Sequence, residues 1–378
     1  MAADPDWDMY GDIDWDIDSD DINETPTCIL CGVMVRGMIH SQPANPTTSA
    51  VLFREDKWKH YRKAKLEHVM VPSKEVEERD FKKFPSMWSC MCRAIIKEPA
   101  TQYFLSGITA MGSEDQRPYV IPKSPNMARI GGRTRGLQYD DRFIKFYTEI
   151  IEEPSDPKGK NIGFIVHAHC WALLNHIIPT ALIESDMDKF VRVAREYWLD
   201  HDHKSWGIDD FALSDWKRCG GTFYPGFAYG CDIYKNPLIV PEVQKTIQRA
   251  IDRATKTKEK CTQSRCSPVP LEVAIMIAEW TCPIDYYTSA DVNNLRNMLS
   301  AWQWTFPDWF WKRRLKEDIF VELKSLREAD YSIDWQALGL DLMGLVSNRE
   351  WYDCSGLPNR ERVLGCMTAI KARFLQMS

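Results

Sequence analysis

Apolar side chains recur at Met187, Phe190, Val191, Ala194, Tyr197 and Trp198, the i, i+3, i+4, i+7 spacing of one helix face. An amphipathic helix is predicted there. A second is predicted from Pro241 to Lys256, with Val243, Ile247, Ile251 and Ala254 on one stripe. A third places Val363, Met367, Ile370 and Phe374 together, with Asn359 as its expected cap. A shorter helix is expected over Ala168–Ile177. The run from Leu271 to Trp280 differs, because only Glu272 and Glu279 in it are charged. A helix without a polar face is either buried all round or pressed between its own core and a partner. Pro270 suits its first turn, and Asp291 fits the start of the next helix. A short helix around Trp309–Leu315 completes the set. Three short helices cannot bury a large core alone, so a partner or the rest of the chain must cover them. Strand signals are sparse: Tyr119–Ile121 and Ala128–Ile130 read as short strands, and Arg142–Glu152 fits either a helix or a strand pair. There is no internal repeat and no array of alternating strands. The balance is a helix-rich α+β chain.

Breaks in this pattern divide the chain. Residues 1–27 hold ten acidic side chains and no Lys or Arg, interleaved with Trp7, Tyr10, Ile13, Trp15 and Ile17. Ten like charges oppose a packed core, so this segment is expected to be a disordered acidic tail. It serves either solubility or docking onto a basic groove. The polar stretch 259–268 reads as a linker, separating an α+β domain over 28–258 from a helical region over 269–378. The chain has 378 residues and a net charge of −6, so removing the tail's ten acids leaves a body at +4. That is too weak a basic excess to predict nucleic-acid binding. The glycine-rich, basic stretch Arg129–Gly136 matches neither a phosphate loop nor a dinucleotide fingerprint. No leader pattern and no apolar run near the ~20 residues of a membrane span occur, and twelve cysteines in this length are no dense disulfide scaffold. A cytoplasmic or nuclear protein with reduced thiols, and no membrane partner, is expected.

Candidate chemistry concentrates in the cysteines. Cys28-Ile29-Leu30-Cys31-Gly32 has the spacing of a knuckle that turns two thiolates toward one cation. Two more ligands would close a tetrahedral structural zinc site, and His167 with Cys170 supply them at the mouth of an expected helix, with His169 as the alternative fourth ligand. The 135 intervening residues do not forbid this, since loop closure costs only ~0.6 kcal/mol per doubling of length. The competing reading is a set of buried cysteines beside a core histidine. His201-Asp202-His203 with Asp209-Asp210 is the one constellation that suggests a metal-dependent hydrolase, and a polar loop explains it equally. No nucleophile motif accompanies it, and an enzyme is not expected.

A family resemblance joins these pieces. Val269-Pro270-Leu271-Glu272-Val273, then Asp291-Val292 and Leu295-Arg296, then Trp311-Lys312-Arg313-Arg314 resemble an F-box, specifically the F-box-like segment of many fungal proteins with a cysteine-containing N-terminal region. Leu105-Ser106-Gly107, Gly163 to His167 with Cys170-Trp171, and Gly356 to Arg362 resemble other parts of the same architecture. The interval from Pro270 to Asp291 is longer than the usual box spacing. The resemblance implies a zinc-knuckle-like N-terminal α+β domain followed by a C-terminal F-box-like helical region. It further implies an adaptor that binds the adaptor subunit of a cullin-type ubiquitin ligase, while the N-terminal domain holds an unknown protein target. Pro270, Leu271, Val273, Ile277, Leu295 and Trp311 are the expected partner-binding residues. The alternative is a structural or interaction protein with a zinc site and no ligase role.

Overall fold

The computed structural model describes residues 27–33, 35, 56–63, 68–82, 85–99, 102–111, 118–131, 137–148, 159–200, 227–228, 231–233, 235–258, 269–328 and 332–377. The acidic tail before Thr27, the His201–Asp210 constellation and the 259–268 linker lie outside them.

The N-terminal half is built on a curled, mixed sheet. Its strands are β1 (His68–Pro72), β2 (Met91–Lys97), β3 (Tyr103–Leu105), β4 (Ile108–Ala110), β5 (Tyr119–Pro122), β6 (Met127–Gly131), β7 (Phe143–Thr148) and β8 (Ile162–His167). The order is β1-β6-β4-β2-β8-β7-β5, with β3 pairing β2 beyond β4. β4–β6 and β7–β8 run parallel, and the other pairs are antiparallel. The outer strand β5 bends back toward β4, where the Gly107 N–H donates to the Pro122 carbonyl at 2.8 Å. A Cβ at Gly107 would lie 2.3 Å from the Met127 carbonyl oxygen, so the curl depends on a glycine there.

The central strand β2 is buried along its length except at Lys97. Met91 and Ile95 point into one core, whereas Cys92, Ala94 and Ile96 point into another inside the curl, with Ile121, Ile144, Phe146 and Ile165. A strand buried on both faces carries no polar alternation, which is why the sheet is almost silent in the sequence.

Around the sheet lie α1 (Lys59–Lys63), α2 (Ser73–Glu77), α3 (Ala168–Leu174), α4 (Thr180–Glu184) and α5 (Met187–Leu199). All six residues of the predicted α5 stripe are buried in the main core. The Asp186 carboxylate caps α5 by accepting from the Lys189 N–H at 3.0 Å. A two-stranded ribbon, β9 (Phe227–Ala228) and β10 (Cys231–Asp232), leads to the second half.

That half is helical: α6 (Pro241–Lys258), α7 (Leu271–Thr281), α8 (Ser289–Trp302), α9 (Asp308–Lys312), α10 (Glu322–Glu328), α11 (Trp335–Ser347), α12 (Arg349–Cys354) and α13 (Leu357–Gln376). α8 opens with a capping box in which Thr288 and Asp291 satisfy each other's backbone N–H groups. Its core gathers Val243, Ile247 and Ala250 of α6 with Leu295, Phe310, Trp311, Leu338 and Leu342.

Three sequence expectations need correction here. The packing does not follow a division at 259–268, because α6 belongs to the C-terminal core and Val363, Met367, Ile370 and Phe374 of α13 belong to the N-terminal one. Asn359 is not the cap of α13. The helix begins at Leu357, and the buried Asn359 amide donates instead to the Ile233 and Lys235 carbonyls at 3.1 and 2.7 Å. Leu295 and Trp311 are fully buried among residues of their own half, so neither offers an exposed anchor.

Candidate metal centre and exposed helix face

The knuckle forms because Cys28 and Gly32 close a tight turn. The Gly32 N–H donates to the Cys28 carbonyl at 2.8 Å, the Cys31 N–H donates to it at 3.3 Å, and Gly32 takes a φ of +69°. A backbone bond ties the knuckle to β8, from the Ile29 N–H to the Ile165 carbonyl at 2.9 Å. β8 ends at His167, and α3 begins immediately after it, so His167 and Cys170 occupy the first turn of a helix that faces the knuckle.

The four side chains meet. Cys31 Sγ lies 3.4 Å from His167 Nδ1, Cys170 Sγ lies 3.8 Å from the same nitrogen, and the His167 backbone N–H donates to Cys28 Sγ at 3.4 Å. All four potential ligand atoms fall within 4.8 Å of one another, and all four residues are fully buried. Zinc bonds of ~2.3 Å to sulfur and ~2.0–2.1 Å to nitrogen imply tetrahedron edges of roughly 3.5–3.8 Å, which these distances approach. Three thiols and one imidazole are a donor set suited to such an ion. His169 is excluded as the fourth ligand: its Nε2 lies 3.2 Å from the Val76 carbonyl, beside Phe81.

The electrostatics of the cluster are uneven. Burial pushes the Cys28 thiol up, but hydrogen bonds from Cys170, Cys31 and the His167 and Leu30 backbone together hold it well below the ordinary thiol range. Burial, and then hydrogen bonds to Cys28 and Cys31, raise the Cys170 thiol. One sulfur therefore accepts while another donates, which is the arrangement a metal replaces by holding all sulfurs as thiolates. Among the described residues His167 Nε2 is buried without a hydrogen-bond partner, and the ring stands 4.9 Å from the Trp88 ring. Among the described residues the four buried donors are the number that a tetrahedral structural site uses.

Two residues that the sequence did not single out for this site hold the knuckle from outside. The Trp198 indole N–H donates to the Ile29 carbonyl at 2.7 Å, and the Arg362 guanidinium donates to the Cys31 carbonyl at 2.7 Å. Trp198 was visible only as the end of a helical stripe, and Arg362 only as the last residue of the Gly356–Arg362 stretch that carries part of the family resemblance. The Trp198 ring also sits over Gly32, where an added Cβ would come within 2.5 Å of it. Gly32→Ala is therefore expected to cost about 2 kcal/mol, from the left-handed backbone and the clash together, read as a lowered denaturation midpoint. An unchanged midpoint would show that the knuckle can rearrange.

The second notable surface is α7. Its fully buried residues are the small Ala274 and Ala278, with Ile275 and Ile277 partly buried against the same core, while several large residues face outward. Met276 is 67% exposed and Trp280 92%, with Leu271 at 45% and Val273 at 43%. Val273, Met276 and Trp280 stand at i, i+3 and i+7, a single stripe. Pro270 is exposed at the helix start, and Ile277 is half-buried. The edge is braced by a Glu279–Arg313 ion pair, with Arg313 lying over the exposed Trp309 ring at 5.1 Å.

A groove of about 320 Å³ between α6, α8 and α11 is polar, and its Arg296 is paired to Asp341 at 3.1 Å. It offers no nucleophile–base pair among its lining residues. No helix among the described residues is long and apolar enough to cross a membrane. Comparison with protein-family models, curated proteins and solved structures finds no match to this chain.

Proposed function

We propose that this chain is a zinc-stapled adaptor protein that works by binding other proteins. On this reading Cys28, Cys31, His167 and Cys170 hold one structural zinc ion, whose chemistry is to fasten the knuckle to the end of β8. The outward stripe of α7 docks onto the adaptor subunit of a cullin-type ubiquitin ligase, in line with the F-box-like pattern of this segment, and the N-terminal half holds a protein target.

The supporting observation is the second, exposed apolar face of α7. A helix that packs Ala274, Ile275, Ile277 and Ala278 on its own core and still exposes Val273, Met276 and Trp280 leaves a second apolar face uncovered. Contiguous exposed apolar patches of this kind usually mark interaction sites. A stripe at i, i+3 and i+7 fits the groove of a partner, with one large aromatic as its anchor.

Binding of the purified full-length chain to a purified ligase adaptor subunit, measured by calorimetry, tests the reading. The double variant Met276→Asp/Trp280→Asp is expected to weaken binding at least ~100-fold, with folding stability within ~0.5 kcal/mol of the parent because both positions are exposed. Absence of binding by the parent chain, or undiminished binding by the variant, would overturn the assignment. Zinc itself is read by metal analysis of the purified protein, with one equivalent per chain expected.

A further inference from the structure

The knuckle is the meeting point of the first and last described segments of the chain. Arg362, on the second turn of α13, donates through Nη1 to the Cys31 carbonyl, and through Nε and Nη2 to Asn359 Oδ1 at 3.1 and 2.9 Å. Asn359 in turn donates to the Ile233 and Lys235 carbonyls, in the segment that joins the two halves. Its neighbour Arg360 binds the Pro237, Leu238 and Ile319 carbonyls and the Glu322 carboxylate, which belong to the joining segment and the helical half. Two sets of hydrogen bonds, joined through the covalent Asn359–Arg360 step of α13, thus lead from the backbone of a proposed metal ligand to the C-terminal core.

Among the described residues, backbone bonds tie Cys28 to Val33 and Ile29 to Ile165, and side chains of Trp198, Arg362 and His167 hold the knuckle at Ile29 and Cys31. The position of the Cys31 carbonyl therefore depends on what holds Cys31 Sγ against His167. We propose that metal occupancy of this centre controls the seating of the first two turns of α13, and through them the junction between the two halves, with Arg362 as the positioning residue that reports the metal state. This rests on the zinc reading above. The role of Arg362 is reciprocal by necessity: if a loaded knuckle seats α13, a seated α13 must tighten metal binding by the same factor.

The test is amide hydrogen exchange on the full-length protein, loaded with zinc and after chelation, with residues 357–365 compared against β2. Metal removal is expected to speed exchange at 357–365 at least ~10-fold while β2 stays protected, within the usual coupling range of ~5–150-fold. Arg362→Ala should bind zinc roughly 10-fold more weakly in a chelator competition and lose most of the metal-dependent protection at 357–365. Arg362→Lys, which keeps one donor for the Cys31 carbonyl, should recover part of both. Release of zinc with unchanged exchange at 357–365 would overturn the coupling while leaving the zinc site standing. Equal deprotection of β2 and α13 would show global unfolding and overturn it too. Failure of the parent chain to bind zinc at all would remove both readings.

Discussion

Cys28→Ser is expected to abolish zinc retention and to lower the thermal transition by roughly 8–16 °C. An ion held at a thousandfold excess over its dissociation constant contributes about 4 kcal/mol to the folded state, and each kcal/mol shifts a unit of 150–250 residues by ~2–4 °C. The serine also leaves Cys31, His167 and Cys170 buried around an incomplete set. Two controls sharpen the outcome. Chelator should bring the parent down to the transition of the variant and leave the variant where it is. His169→Asn should keep its equivalent of zinc, because His169 bonds the Val76 carbonyl outside the cluster. A Cys28→Ser protein that retains zinc and its transition would sink the assignment.

Arg360→Leu is expected to cost about 3–5 kcal/mol, the usual consequence of leaving one partner of a buried ion pair behind. Arg360 is fully buried, and all five of its N–H donors are used. They reach the Pro237, Leu238 and Ile319 carbonyls at 2.6, 2.6 and 3.0 Å, and both Glu322 oxygens at 2.9 Å. Leucine would strand three carbonyls and a largely buried carboxylate at the junction of the two halves. Lysine has three donors and no planar fork, so Arg360→Lys should fall between leucine and the parent. Urea denaturation of the three proteins measures this. A loss below ~1 kcal/mol for Arg360→Leu would show that the junction does not depend on this side chain.

What the sequence revealed depended on whether a residue's neighbours in the chain are also its neighbours in space. The α5 stripe was legible because Met187 to Trp198 face one core at helical spacing. The Cys28/Cys31 and His167/Cys170 pairs were legible as spacings, and the fold brings them together by running the knuckle along the edge of β8. The sheet was nearly invisible, since β2 and β8 feed apolar side chains to a core on each face. α7 was readable as a helix in need of cover on two sides. Which side stays open was not readable, because hydrophobicity does not distinguish Met276 and Trp280, which face out, from Leu295 and Trp311, which face in. Asn359 and Arg360 look like ordinary polar residues at a helix start. Their burial follows from where α13 passes, and no local pattern encodes that path.

The exchange of helices between the two cores has a consequence for synthesis. Val363, Met367, Ile370 and Phe374 complete the core that begins with Cys28 and Trp58, so that core cannot close until α13 has left the ribosome. Between the end of α5 at Leu199 and the end of α13 at Gln376, translation at ~5–20 residues per second leaves a wait of roughly 10–35 s. Through that interval a nascent chain that has already formed α3 and α5 would leave uncovered the apolar face that α13 fills in the folded protein. A chaperone that binds exposed apolar segments would find its target on this face, and it would be displaced when the last helix arrives.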